Sequence, residues 1–466
     1  MANMKTSAAA APASTAMATR TRDLLQAPLL GMLWRLATPN IMGLFAMTIV
    51  IGYDGFILGR LGADALAGVA LVFPLSMLML QMSAGGIGGA VSAAVARALG
   101  SGNGNEANRL AQQAILIACA LAALFTLLML GFGRNIYTLM GGKAATLSAA
   151  MAYSNVFFGG VLAIWLTNVL AGIVRGSGNM LLPSLMLMAA AGAHVLLSPL
   201  LVFGWGPWAG LGVAGAALSS VCTNTLAAIA LAVHLIRARG PVQLQSAGWR
   251  PQATLLRTIM RVGAPASLSP LLSNGSIAAA TALIGSYGTS ALAGFGIAAR
   301  LEFIMIPIAF GFGTALTTLV ATNMGAGQHR RALQATWTGS LVVAAITGGI
   351  GLAAAIEPAL WMNHFSSDPA VRALGADYLH VVGTCYGLFG LGLALFFASQ
   401  GAGRMFWPIA ASVSRIVVVA LGGWIVVHVL HLPVGGLFFV IATGFAVYAL
   451  MIAGSIGLGS WAQQSP

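Results

Sequence analysis

Runs of 20 or more residues without an Asp, Glu, Lys or Arg recur along this chain, residues 110–133 among them. That is the length a helix needs to cross a hydrocarbon core of roughly 30 Å, so each run is a candidate transmembrane helix. Charged residues make up 6% of the 466, where a soluble domain carries about 25%. So few charges cannot cover a water-facing surface. The sequence therefore predicts an all-α, polytopic membrane protein.

The charges that exist are mostly positive, 21 Lys and Arg against 8 Asp and Glu. They are scattered singly between apolar spans rather than clustered with stacking aromatics, which excludes nucleic acid as a partner. Gly141-Gly142-Lys143-Ala144 lacks both the earlier glycine and the Ser or Thr of a nucleotide-binding loop. ATP-driven transport would therefore need a second chain. Cys119, Cys222 and Cys385 lie far apart in apolar spans, with no spacing for a disulfide framework or a zinc site. Residues 1–27, rich in Ala, Ser, Thr and Pro and ending near Arg20 and Arg22, have their charges on the wrong side for a signal peptide. They read as a disordered cytoplasmic tail.

Apolar runs between polar breaks give twelve spans, near 36–59, 66–99, 109–132, 150–173, 181–204 and 210–236, then 259–285, 291–324, 332–356, 377–399, 406–428 and 433–457. The division expected is an amino-terminal lobe over 28–236, a cytoplasmic linker over 237–258, a carboxy-terminal lobe over 259–457 and a tail over 458–466. With the amino terminus inside, 15 of the 21 Lys and Arg fall on that side and 5 on the other, Arg415 lying within a span. Excess Lys and Arg mark the cytoplasmic loops, so both termini are expected in the cytoplasm and the chain in the cytoplasmic membrane.

The two halves repeat each other. Arg35, Pro39, Gly59, Gly62 and Leu66-Ala67-Gly68 recur 226 residues on as Arg261, Pro265, Gly285, Gly288 and Leu292-Ala293-Gly294. After a slip of one residue, Gly100, Gly102, Gly176, Gly178, Met180 and Pro183 recur as Gly325, Gly327, Gly401, Gly403, Met405 and Pro408. An even number of spans per repeat orients both halves alike, so they are related by a pseudo-two-fold axis along the membrane normal. That is an architecture of alternating-access transporters.

The motifs themselves resemble a known family. Tyr53-Asp54-Gly55-Phe56 through Gly62, Arg97-Ala98-Leu99-Gly100-Ser101-Gly102 and Arg175-Gly176-Ser177-Gly178-Asn179 are similar to signatures of the multidrug and toxic compound extrusion (MATE) family. So are Arg300-Leu301-Glu302 with Pro307, and Asn323-Met324-Gly325-Ala326-Gly327. The resemblance covers about residues 30–455. It implies two six-helix lobes and efflux of organic, often cationic or amphipathic compounds in exchange for protons or sodium ions.

A charged Asp at a helix centre costs about 2.5–3.5 kcal/mol, so an acid within a span calls for a reason. Asp54 is the clearest case, and its repeat counterpart is Ala280. A carboxyl whose solvent access changes can load and release a proton, and the resemblance implies a coupling acid here; the bland alternative is an interfacial pair with Arg60. His194 and Ser198 sit one helical turn apart before Pro199, where sodium-type relatives often present Asn and Asp. Losing that second carboxylate weakens a hard-cation site, whereas an imidazole titrates near neutrality; the bland alternative for His194 is a satisfied core histidine. Ser220 stands where the family's lobe site has a Thr. Asn155, Asn168 and Asn224 would complete a polar pocket or serve as interhelical glue.

In the second half Glu302 reads as a substrate-cavity acid or as a partner of Arg300 or another nearby cation. Asn274 stands where other branches of the family carry a seventh-span acid. Glu357, Asp368 and Asp377 read as an outer, solvated group, with Asp377 starting a helix. The 21 Met and 20 Phe suit a cavity that repacks around varied guests. Together these features lead to a proton-coupled multidrug antiporter. It would act as a monomer in the lipid bilayer on small drug molecules, with no cofactor beyond a proton or sodium as coupling ion. The alternatives are sodium coupling or a lipid-linked oligosaccharide flippase of related build. An intramembrane enzyme would need convergent His clusters or paired carboxylates, and none is present in the sequence.

Overall fold

The computed structural model describes residues 20–237, 240–244 and 249–461. Among them eleven helices are long and apolar enough to cross a membrane, and a twelfth crossing is a helix pair bent by 47°. In the first half these are α1 (Leu29–Gly59), α2 (Ala63–Gly100), α3 (Gly104–Leu139), the bent α4 (Ala144–Gly159 with Val161–Gly176), α5 (Leu181–Phe203) and α6 (Val213–Ile236). In the second they are α7 (Ala253–Gly285), α8 (Thr289–Gly325), α9 (His329–Ile356), α10 (Pro369–Ala402), α11 (Phe406–His428) and α12 (Val434–Gly457). A two-residue hairpin, β1 (Gly204–Trp205) and β2 (Trp208–Ala209), joins α5 to α6. Its exposed Trp205 and Trp208 suit the membrane interface.

The helices overrun the expected spans, α1 starting at Leu29 rather than 36 and α10 at Pro369 rather than 377. Apolarity reports only the slab inside hydrocarbon, while the backbone ladder continues until something caps it. Asp368 caps α10 by accepting from the Ala370 amide at 2.8 Å, so Asp377 lies within the helix instead of starting it. Residues 1–19 of the expected tail lie outside the described residues; residues 20–26 form a short helix.

The sequence repeat is a spatial one. Gly62 and Gly288, Gly102 and Gly327, and Gly178 and Gly403 all adopt left-handed backbone at matching turns, a conformation that costs glycine alone little. A Cβ on Gly100 would collide with the carbonyl oxygen of Thr322, and one on its counterpart Gly325 with that of Arg97. Such reciprocal contact is what an isologous interface produces. The pseudo-two-fold axis therefore passes between the ends of α2 and α8. Ser92 and Thr318, 226 residues apart, meet there with hydroxyls 3.1 Å apart.

The named contacts between lobes all fall in the half of the molecule near this seam, on the face that carries residues 20 and 461. Arg97 Nη1 donates to Gly401 O at 2.8 Å, and Asn40 Nδ2 donates to Thr314 Oγ1 at 2.8 Å. A π-helical turn at Met82–Ile87 in α2 frees carbonyls that an α-helix would use internally. Gln400 of α10 takes them up, its Nε2 donating to Gly85 O at 2.8 Å and Gly86 O at 3.1 Å. The seam is thus closed by small residues and polar bonds, as helix contacts in lipid require.

Candidate functional site

Asp54 lies near the far end of α1 from the seam, in the first lobe, where α5 and α6 pack against it. His194 of α5 sets its Nε2 at 2.8 Å from Asp54 Oδ1. The imidazole is buried, 3% exposed, while the carboxylate keeps 22% of its surface. From α6, Ser219 Oγ stands 3.0 Å from His194 Nδ1, with Ser220 Oγ at 3.5 Å. α5 is held to α1 at this level because Tyr53 OH donates to Val195 O at 3.0 Å. Tyr153 of α4 lies within electrostatic reach of Asp54 and stacks on Phe157 at 5.8 Å.

The chain Asp54–His194–Ser219 can hold a proton in more than one way. A neutral ring that donates from Nε2 to the carboxylate accepts from the Ser219 hydroxyl at Nδ1. A doubly protonated ring donates at both nitrogens, and the hydroxyl needs only to rotate to accept.

The other expected residues divide. Ser198, one turn from His194, is fully buried but its hydroxyl has no hydrogen-bond partner, so it flanks the relay without joining it. Asn224 Nδ2 donates to Ser220 O at 2.9 Å, and Asn168 Nδ2 donates to Ser83 Oγ at 2.8 Å. The first lies within α6 and the second joins α4 to α2; neither bond reaches Asp54. Asn155 and Asn274 are exposed, and neither helps to enclose the acid. Arg60 does not pair with Asp54; its guanidinium lies 4.7 Å from the Phe56 ring centroid.

Glu302 marks a second polar cluster, in the other lobe. It opens the second segment of α8, Glu302–Gly325, and Tyr378 OH of α10 donates to its Oε1 at 3.3 Å. Arg415 of α11, 8% exposed, interacts with it electrostatically and stacks 4.6 Å from the Phe445 ring centroid. The buried Tyr386 hydroxyl lies beside this cluster without a geometric partner. The nearby cation is therefore Arg415 and not Arg300.

Sequence reasoning missed Ser219, Tyr153, Arg415 and Tyr378. One signal was available: Tyr153 and Tyr378 are repeat counterparts, 225 residues apart, and each stands beside its lobe's half-buried acid.

The chain as a whole is similar to known proteins. The MatE family model matches residues 39–200 and 265–425, once in each lobe. A protein of Shewanella oneidensis named FAD transporter is 27% identical over 85% of this chain and 88% of its own. The probable multidrug resistance protein YoeA of Bacillus subtilis is 24% identical over 84% of this chain and 86% of its own. The solved structure of a MOP superfamily transporter from Pyrococcus furiosus superposes with a TM-score of 0.84 at 24% identity, covering 95% of this chain and 98% of that one.

Proposed function

The chain belongs to the MatE family of multi-pass membrane transporters, and from that premise we propose that it is a proton-coupled efflux antiporter rather than an enzyme or a sodium-driven pump. Its substrates are organic, cationic or amphipathic compounds. It lies in the cytoplasmic membrane with both termini inside. The observation that carries the coupling ion is the 2.8 Å contact between His194 Nε2 and Asp54 Oδ1. A hard cation such as sodium needs several oxygen ligands, and here an imidazole nitrogen occupies the carboxylate oxygen that would head such a set. A proton needs only the relay.

In the cycle, the Asp54–His194 pair takes up a proton from outside, where the lobes stand apart. The first lobe then repacks around the neutralised site and substrate leaves. Closure of the outer side and opening of the seam expose the pair to the cytoplasm, which accepts the proton. Moving one charge inward yields about 2.3 kcal/mol per 100 mV, enough for roughly a fifty-fold gradient of a neutral compound.

A second reading is export of a flavin dinucleotide. The named activity of the Shewanella relative favours it. One experiment separates these readings. Efflux of a fluorescent cationic dye and of FAD is followed from proteoliposomes under an imposed pH gradient and, separately, a sodium gradient. Dye efflux driven by the pH gradient and abolished by Asp54→Asn is expected. Efflux that follows only the sodium gradient, or that survives Asp54→Asn, overturns the proton relay. Efflux of FAD alone transfers the substrate assignment to the second reading.

A further inference from the structure

Residues 20–27 precede both lobes in sequence, yet they are tied to both where the lobes meet. Leu24 is 4% exposed. Its side chain packs over Gly178, at the turn between α4 and α5, so closely that a Cβ there would fall 2.9 Å from Leu24 Cδ1. The Leu24 carbonyl faces the other way and accepts from Asn323 Nδ2 of α8 at 3.2 Å. Three residues later the Ala27 carbonyl accepts from Arg331 Nη2 of α9. Asn323 adjoins Thr322, whose carbonyl packs on Gly100 across the pseudo-two-fold axis. One short segment therefore holds a turn of the first lobe and two helices of the second, directly over the seam.

We propose that residues 23–27 are a latch that holds the two lobes shut on the face carrying the termini, with Leu24 as the gate residue and Asn323 and Arg331 as the groups that retain it. The proposal rests on the alternating-access reading above and not on the identity of the coupling ion or substrate. Parting the lobes on this face strips Leu24 either from Gly178 or from Asn323. The first exposes an apolar side chain to water and the second forfeits two hydrogen bonds.

The latch is also built to release. Asn323 Oδ1 and Arg331 Nε are buried in the shut state without a partner, and such atoms carry a desolvation cost that water removes when they are exposed. The shut state is thus favoured by burial and opposed by two unsatisfied polar atoms, which keeps the two states close in free energy. Removing most of a buried Leu side chain shifts such an equilibrium by roughly tenfold to a hundredfold.

The test uses the full chain in nanodiscs, carrying Cys119→Ser, Cys222→Ser and Cys385→Ser. Spin labels go on Asn105→Cys with Arg330→Cys, exposed repeat counterparts in the two lobes on the terminal face. A second sample carries Arg60→Cys with Ser286→Cys, exposed counterparts on the opposite face. With Leu24→Ala, and again with Arg331→Gln, the terminal-face pair is expected to gain a long-distance population about tenfold over the parent while the opposite pair gains a short one. Leu24→Met is expected to keep the parent distribution. General loosening of the fold would broaden both pairs without that reciprocity and would overturn the latch, as would unchanged distributions in both weakening variants. Because distances need no substrate, the result stands apart from the dye experiment.

Discussion

At His194 both ring nitrogens are engaged, Nε2 by an acid and Nδ1 by a hydroxyl, so the ring is held in one orientation whatever its charge. His194→Gln keeps a polar group against Asp54 but removes a side chain of the kind that changes charge between about pH 5 and 8. Export is expected to fall and to lose its pH dependence across that range, read from initial rates at fixed gradient; an unaltered profile removes His194 from the coupling. Ser219→Ala leaves Nδ1 without its partner and should lower stability by about 1 kcal/mol, together with a several-fold loss of export. Ser220→Ala, at the longer distance, should be milder in both melting temperature and rate. Asp54 was legible in the sequence because an acid inside an apolar span is costly and conspicuous. The choice between Ser219 and Ser220 was not, because adjacent residues on a helix point about 100° apart and only the rotation of α6 against α5 decides which meets the ring.

The helices themselves were legible element by element, since hydrocarbon thickness sets their minimum length and apolar runs reveal them. Their ends and irregularities were not. The π-helical turn in α2 has the same composition as its surroundings, and it persists because Gln400 satisfies the carbonyls it frees. Gln400→Leu should therefore cost about 1–3 kcal/mol by stranding them, seen as a lower melting temperature in detergent, whereas a neutral outcome would mean that water replaces the side chain. At the seam, Gly325→Leu drives a side chain into the Arg97 carbonyl. Overpacking of this kind costs about 1–3 kcal/mol, here levied only on the shut seam, so labels at Asn105→Cys and Arg330→Cys should separate in that variant. The glycine repeat announced that these positions matter; that they meet one another across an axis emerged only in three dimensions.

At the scale of the molecule, two lobes of one fold share a seam at one end and diverge at the other. Among the described residues, the segment between them is bonded to α3, where Gln113 Nε2 donates to Arg250 O at 3.1 Å. Gln243 N donates to Asn108 Oδ1 at 2.8 Å and Gln252 N to Gln113 Oε1 at 3.0 Å, both to α3. A chain break within 245–248 removes none of these bonds and none of the seam bonds described above. The two co-expressed pieces are expected to copurify and to retain dye export, and failure to copurify would show that covalent linkage is needed for the lobes to find each other. The sequence by itself determined the membrane, the number of crossings, the two-fold repeat, the family and an acid, Asp54, whose place within a span demands a reason. All of these follow from solvent: hydrocarbon penalises each misplaced charge and unpaired backbone group, and the penalty is written residue by residue along the chain. Only the tertiary structure decided which hydroxyl completes the relay, that Glu302 faces Arg415 rather than Arg300, and that residues 20–27 lie across the seam. Those depend on how rigid helices rotate and approach one another, a matter of packing between residues as many as 304 apart, which no local pattern records.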